Sequence, residues 1–221
     1  MILRSVRKMA VLPPELTEKP EDRCLEDAVE DALRFDEDIE NASFYGEMLP
    51  EGAKQLEFRG CRFEKCDFST LRDTRVSFVD CVFDHCDTSG AVMEKSALQR
   101  VRFAGCRMTG CRFSEGTLMN VTFEDCQMDY VCFDKEKVQH VRIIRCTMKE
   151  SMWIECRMSD FDMDECRLDG SEFARMPLKG LDLSRCPFSY LRVEVQSLRG
   201  LRVTREQAMT LSLLLGLEIT D

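Results

Sequence analysis

The residues of this chain best suited to ligating a metal or attacking a substrate are its 13 cysteines and 2 histidines. A small secreted chain this rich in cysteine would read as a disulfide scaffold, and paired CxxC knuckles would read as zinc sites. Neither pattern is present. The commonest separation between cysteines is five residues or a multiple of five. His85 and His140 lack a nearby cysteine–aspartate arrangement that could join a nucleophile to a base, and both read as surface histidines. There is no P-loop, dinucleotide fingerprint or metalloprotease motif. No catalytic, cofactor-binding or metal-ligating residue is therefore assigned, and no enzyme is expected.

The spacing of the cysteines belongs to a larger order. Stepping by five from Phe58 meets Phe63, Phe68, Phe78, Phe83, Phe103, Phe113, Phe123, Phe133, Trp153 and Phe173, and ends at Val203. Of the 30 positions in this phase, only Asp73 and Thr88 are polar. Two residues earlier runs a phase of smaller side chains that holds 11 of the 13 cysteines. A third phase, two residues after the large one, holds Gly60, Gly90, Gly105, Gly110, Gly170, Gly180 and Gly200, where a turn profits from a missing Cβ. Neither a helical period near 3.6 nor a strand period of 2 sustains such a pattern. A repeating corner does, if each five-residue unit forms one side of a square with its large and small residues pointing inward. Cys66, Cys86, Cys106, Cys126, Cys146, Cys166 and Cys186 recur at every fourth unit, so four units make one coil. Thirty units then give about seven and a half coils and a rod about 36 Å long at the usual strand spacing.

The segments CRFEKCDF, CRMTGCRF and LKGLDLSRCPF resemble the pentapeptide-repeat pattern, and the match runs from Phe58 to Val203 without an insertion. The resemblance implies an all-β solenoid, the right-handed quadrilateral β-helix. In that fold the cysteines are small, reduced, buried hydrophobes. Cys24 and Cys132 fall outside the inward phase and are the thiols expected to be accessible.

A solenoid must cover its two ends. The expected division is an acidic N-terminal cap segment over 1–55, the repeat body over 56–205, and a C-terminal helix and tail over 206–221. In CLEDAVEDALRF, Leu25, Val29, Ala32 and Leu33 suit an amphipathic helix. Thr204 with Gln207 suits a capping box, with Gly216 as the stop. Between them, Met209, Leu211, Leu213, Leu214, Leu215 and, just past the stop, Leu217 are more apolar than one covered face needs. A second copy is the expected partner for them, giving a homodimer, and a fully buried cap in a monomer is the alternative.

Charge is segregated. Residues 1–55 carry 7 bases and 14 acids, and residues 206–221 carry 3 acids and no base, so a net −10 chain has a neutral body. One side of that body stacks Asp84, Glu124, Asp125, Asp162, Asp164 and Glu165, the candidate partner-binding surface, but it also carries Arg102, Arg142 and Arg145. Direct nucleic-acid binding is not expected of an acidic chain with dispersed arginines. No stretch approaches the roughly 20 apolar residues of a membrane span, and the start, MILRSVRKMAVLPPEL, lacks the apolar core of a secretory signal, so a cytoplasmic location is expected.

The closing segments LKGLDLSRCPF and LRGLRVTREQAMTLSLLLGLEI, with PPEL and CLED near the start, resemble Qnr-type quinolone-resistance proteins, especially the enterococcal kind. That resemblance implies a dimer joined through its C-terminal region that binds DNA gyrase and topoisomerase IV as a mimic of B-DNA and protects them from quinolones. The alternative is a protein-interaction scaffold unrelated to topoisomerases.

Overall fold

The computed structural model describes residues 10–72 and 75–217. The period of five becomes a right-handed square coil whose strands all pair in parallel, in one sheet of 10 strands and another of 6. The longest strands, Ser77–Asp84, Ala97–Ala104, Thr117–Glu124, Lys137–Ile144 and Arg157–Asp164, bend around one corner and stack on one another. Paired positions stand four units apart, as in Phe83 with Phe103 and Phe123 with Ile143. Along another side, isolated bridges repeat the same step from Asp67 to Arg167.

Inside the coil the two inward phases fill the core. Phe63, Phe83, Phe103 and Phe123 stack with ring centroids 4.7, 4.6 and 5.1 Å apart, and Phe113, Phe133 and Trp153 form a second column at 4.9 and 4.0 Å. Eleven inward cysteines are buried, and most of their thiols donate to carbonyls of the preceding coil, as Cys86 does to Phe63 O. Burial pushes the Cys111 and Cys156 thiols up to about 12, which removes the thiolate that nucleophilic chemistry needs. Of the two thiols outside the phase, Cys24 is exposed, but Cys132 is buried. It lies in the strand Cys132–Asp134, stacked between Arg112 and Met152, whose longer side chains cover it. Thr88 is fully buried among the apolar residues and satisfies its hydroxyl by donating to Arg107 O at 3.5 Å. Asp73 lies outside the described residues.

Most corners use a left-handed residue, and many of these are not glycine: Lys65, His85, Lys95, Arg145 and Glu165 all have φ near +55°. Such a residue costs about 1–2 kcal/mol. The hydrogen bonds between coils hold it there, as with Lys65 N–H to Asp84 O at 2.8 Å and His85 N–H to Ala104 O at 2.9 Å. At Gly105 a Cβ would stand 2.9 Å from Nε2 of the exposed His85, which would have to swing aside to admit it.

The rod begins earlier than the repeat reading places it. Ala42–Tyr45 pairs with Arg62–Glu64, and Ile39–Glu40 pairs with Glu57–Arg59, so the expected cap segment contains coil and the rod has about 9 turns. The offset here falls one residue short of four units, as in Phe44 with Phe63, and this slip hides the first coil from a strict period of five. The helix Leu25–Phe35 covers that end with Leu25, Ala28, Val29 and Ala32 buried, while Leu33, expected on the covered face, is exposed. Glu47 accepts the Leu25 N–H at 2.6 Å, which satisfies one orphan donor of the first turn. Among the described residues no helix is long and apolar enough to cross a membrane.

Candidate interaction surfaces

With every cysteine but Cys24 buried, what the rod offers outward is a set of ladders in which one position recurs every coil. The six acids of the candidate surface do lie along one such side. Each faces a side chain that can carry positive charge. Glu124 bonds Arg102 and Arg145, both at 2.7 Å, and Asp125 bonds Arg145 at 2.8 Å. Asp162 pairs with Arg142 at 3.3 Å, Asp164 with Arg185 at 2.8 Å, Glu165 with Arg185, and Asp84 with His85 at 2.6 Å. Arg102 and Arg145 hold the Glu124 carboxyl below its ordinary value, and Arg145 does the same for Asp125. Acid and arginine thus alternate from coil to coil, and the surface is a mixed-charge ladder. Each exposed pair contributes little to stability, typically about 0–1 kcal/mol.

The C-terminal end is of a different kind. Helix Arg205–Ser212 begins with the expected capping box, Gln207 N–H to Thr204 Oγ1 at 3.2 Å and Thr204 N–H to Gln207 Oε1 at 2.9 Å. Gln207 also donates to Leu183 O and Cys186 O, both at 2.9 Å, so it closes the last coil by satisfying its open carbonyls. Leu211, expected at an interface between copies, points into this junction and is buried. Helical spacing carries it to the same face as Gln207, one turn on. Met209, Leu213, Leu214, Leu215 and Leu217 remain exposed. Of these, Leu215 lines an apolar groove of about 660 Å³ together with Leu198, Leu201, Val203 and Ala208.

Two features have weak or no signals in the repeat pattern. Glu136 is the one charged residue in the small inward phase between Leu56 and Leu201, and it is 1% exposed. It fits because Gly116, one coil earlier in the same column, leaves room and donates its N–H to Glu136 Oε1 at 2.9 Å. Oε2 has no partner, and burial pushes the carboxyl up to about 7 against the pull of that N–H. The charge, in a phase that otherwise carries none, was the available signal. The second feature is the stretch after Ala10, which runs along the outside of the long-strand corner. Leu12 N–H donates to Asn120 Oδ1 at 3.1 Å and Glu15 N–H to Asp80 Oδ1 at 2.9 Å. Asp80 also pairs with Arg100 at 2.6 Å. Burial opposes its charge, but these bonds outweigh it and hold the carboxyl below its ordinary value. Nothing periodic announces this contact, which joins residues 65 and 108 apart in sequence.

Past Asp164 the ladder breaks along one side of the coil, while the side carrying Glu172–Ala174 stays paired. In the regular coils the residue before each large one donates its N–H to the previous coil, as Ala97 does to Val76 O, Thr117 to Ser96 O, Lys137 to Gly116 O and Arg157 to Glu136 O. Pro177 occupies the next such position and has no N–H. Among the described residues no backbone hydrogen bond joins 157–165 to 176–185. A cleft of about 720 Å³ opens there, lined by Met158, Asp160, Phe161, Leu178 and Lys179 among others. Among the described residues no group of three or more His, Cys, Asp or Glu side chains could hold a metal ion.

A family model described as a pentapeptide repeat region matches residues 56–133 and again 116–193. No curated protein matches the chain significantly. Among solved structures, full-length QnrB1, a plasmid-mediated fluoroquinolone resistance protein, is 18% identical with a TM-score of 0.40, over 90% of this chain and 96% of that chain. A trypsin-treated variant of QnrB1 is 22% identical with a TM-score of 0.38, over 83% and 90%. HetL, a pentapeptide-repeat protein involved in heterocyst differentiation regulation from the cyanobacterium Nostoc, is 9% identical with a TM-score of 0.31, over 76% and 83%.

Proposed function

This chain belongs to the pentapeptide-repeat family, and we propose that it is a non-catalytic binding protein that recognises a macromolecular partner through its outer ladders and works as a homodimer. The observation that carries this reading is the partition of the side chains. Twelve of the 13 cysteines are buried, Cys24 being the exception, while the surface is a regular array repeating at about 4.8 Å, suited to matching an extended partner. Support for the dimer comes from Met209, Leu213, Leu214, Leu215 and Leu217, which remain exposed, with Leu215 on the wall of an apolar groove.

The partner favoured by the closing segment is bacterial DNA gyrase or topoisomerase IV, with protection against quinolones as the consequence. The test is gyrase supercoiling with purified protein, with and without a quinolone. Inhibited supercoiling, or relief of drug-induced cleavage, at about micromolar protein supports this partner. A folded dimer without effect on either enzyme removes it. The alternative, a scaffold for an unrelated protein, has its own support. A DNA mimic should carry roughly one uncompensated negative charge per 1.7 Å of axis, whereas Glu124, Asp125, Asp162, Asp164 and Glu165 are each paired with arginine.

A further inference from the structure

The strand Arg157–Asp164 is the last of the 10-stranded sheet and, among the described residues, pairs on one side only, with Lys137–Ile144. Its other side looks into the cleft. In the regular coils that side is filled by the next coil: Arg145 N–H reaches Asp164 O at 2.9 Å, and Glu136 O accepts Arg157 N–H at 2.9 Å. One coil on, the corresponding groups, Glu165 N–H and Cys156 O, have no backbone partner among the described residues. Pro177 stands where the donor to Cys156 O would be. The apolar filling thins at the same place, since Val138 and Val141 are fully buried, whereas Met158 and Phe161 in the open strand are only partly so. Elsewhere the rod covers its edges: helix Leu25–Phe35 lies over the first end, and Gln207 takes the open carbonyls Leu183 O and Cys186 O near the last. An edge of 8 residues left open between these covers is a template for one more strand.

The walls say what the occupant is. Unpaired N–H and C=O groups at strand spacing are satisfied in register by another extended backbone, which makes the occupant a polypeptide. Its charge follows from the lining, which holds four acids and four bases and so is neutral. Most of these charges are already committed to one another, Asp162 to Arg142 at 3.3 Å, Asp164 to Arg185 at 2.8 Å and Asp182 to Arg202 at 3.0 Å. An ionic side chain entering the cleft gives up hydration and finds no surplus of opposite charge, so an uncharged side chain enters at lower cost. The half-buried Met158 and Phe161 match apolar side chains on the face that meets them. At about 3.3 Å per residue the edge is about 26 Å long, which suits a segment of up to 8 residues. We propose that the edge Arg157–Asp164, with the cleft beside it, accepts an uncharged, extended segment of a partner protein as one added strand.

The test is backbone amide exchange in the full chain, read by mass spectrometry with and without the blocked peptide acetyl-NTVSVTN-amide, an uncharged β-former whose valines share one face. At about 2 mM the peptide should slow exchange in 157–165 about threefold while 97–124, in the closed coils, stays unchanged. Counterparts with lysine or aspartate in place of the central serine should protect at most about half as much. Pro177→Thr, which supplies the N–H found at Thr117 in a regular coil, should slow exchange in 157–165 by itself and abolish the effect of the peptide. Three results overturn the proposal: exchange in 157–165 unmoved by the uncharged peptide, protection as strong from either charged peptide, or peptide protection retained in a Pro177→Thr chain whose own 157–165 amides have slowed. None of these outcomes depends on gyrase, so this inference and the proposed function fail separately.

Discussion

The coils before Arg157 and those after Asp164 carry the same five-residue register but differ in how firmly it is closed. Before Arg157, the large inward residues from Phe78 to Trp153 are buried and every coil bonds the next. After it, Met163, Leu168, Phe173, Leu178 and Leu183 are still buried, but Met158, Phe161, Phe188, Val193, Leu198, Leu201 and Val203 are only partly so. The inward pattern continues through both regions, so side-chain periodicity is not what separates them. The difference lies in backbone donors: Pro177 and Pro187 stand at the positions whose N–H groups close the ladder in the regular coils. Pattern specifies which side chains point inward, and hydrogen bonding between coils decides whether the strand edge is closed.

Core truncation should show the contrast most strongly. Phe103 is fully buried and lies between Phe83 and Phe123, so Phe103→Ala should cost about 3–5 kcal/mol in denaturant unfolding. Phe188→Ala, at the same register but half-buried, should cost about 1–2 kcal/mol. Equal losses would mean that the two regions are equally packed. A proline transplanted into the regular region tests the cause directly. Thr117→Pro removes the N–H that bonds Ser96 O at 3.0 Å and should cost about 3 kcal/mol, with amides of 97–104 exchanging faster. A neutral effect would mean that the missing donor at Pro177 does not explain the cleft.

Much of this contrast could be read from the residues, and some could not. The square coil, the sealed cysteines and the capped C-terminal helix follow from spacing, because every inward position must be apolar or small to fit. The first coil was not legible. Its paired positions stand one residue short of a full coil, and that missing residue moves Phe44 and Leu49 out of the phase that begins at Phe58. Cys132 departs from expectation because its burial depends on neighbours one coil away, which no five-residue window contains. The acidic side was visible as a set of residues, but its pairing with Arg102, Arg145 and Arg185 joins positions about one coil apart and required the register.

Glu136 offers the subtlest test, because it places a polar group inside the well-closed region. Its folded-state carboxyl is raised to about 7 from an ordinary 4.5, so the folded chain prefers the protonated form. The sign follows from proton counts: between these values the folded state binds more protons than the unfolded one, so stability falls as pH rises through this window. The loss begins near the unfolded value and is complete above the folded one, opposite to the usual acid-labile carboxylate. Glu136→Gln keeps the shape and can still accept the Gly116 N–H, but it carries no charge to desolvate. The variant should lose this part of the pH dependence and, at pH 8, be more stable than the parent by on the order of 2–3 kcal/mol. Unfolding curves at pH 5 and pH 8 for both proteins measure it. If parent and variant keep the same stability difference at both values, Oε2 is solvated, and the regular coils are less tightly closed around Gly116 than the packing indicates.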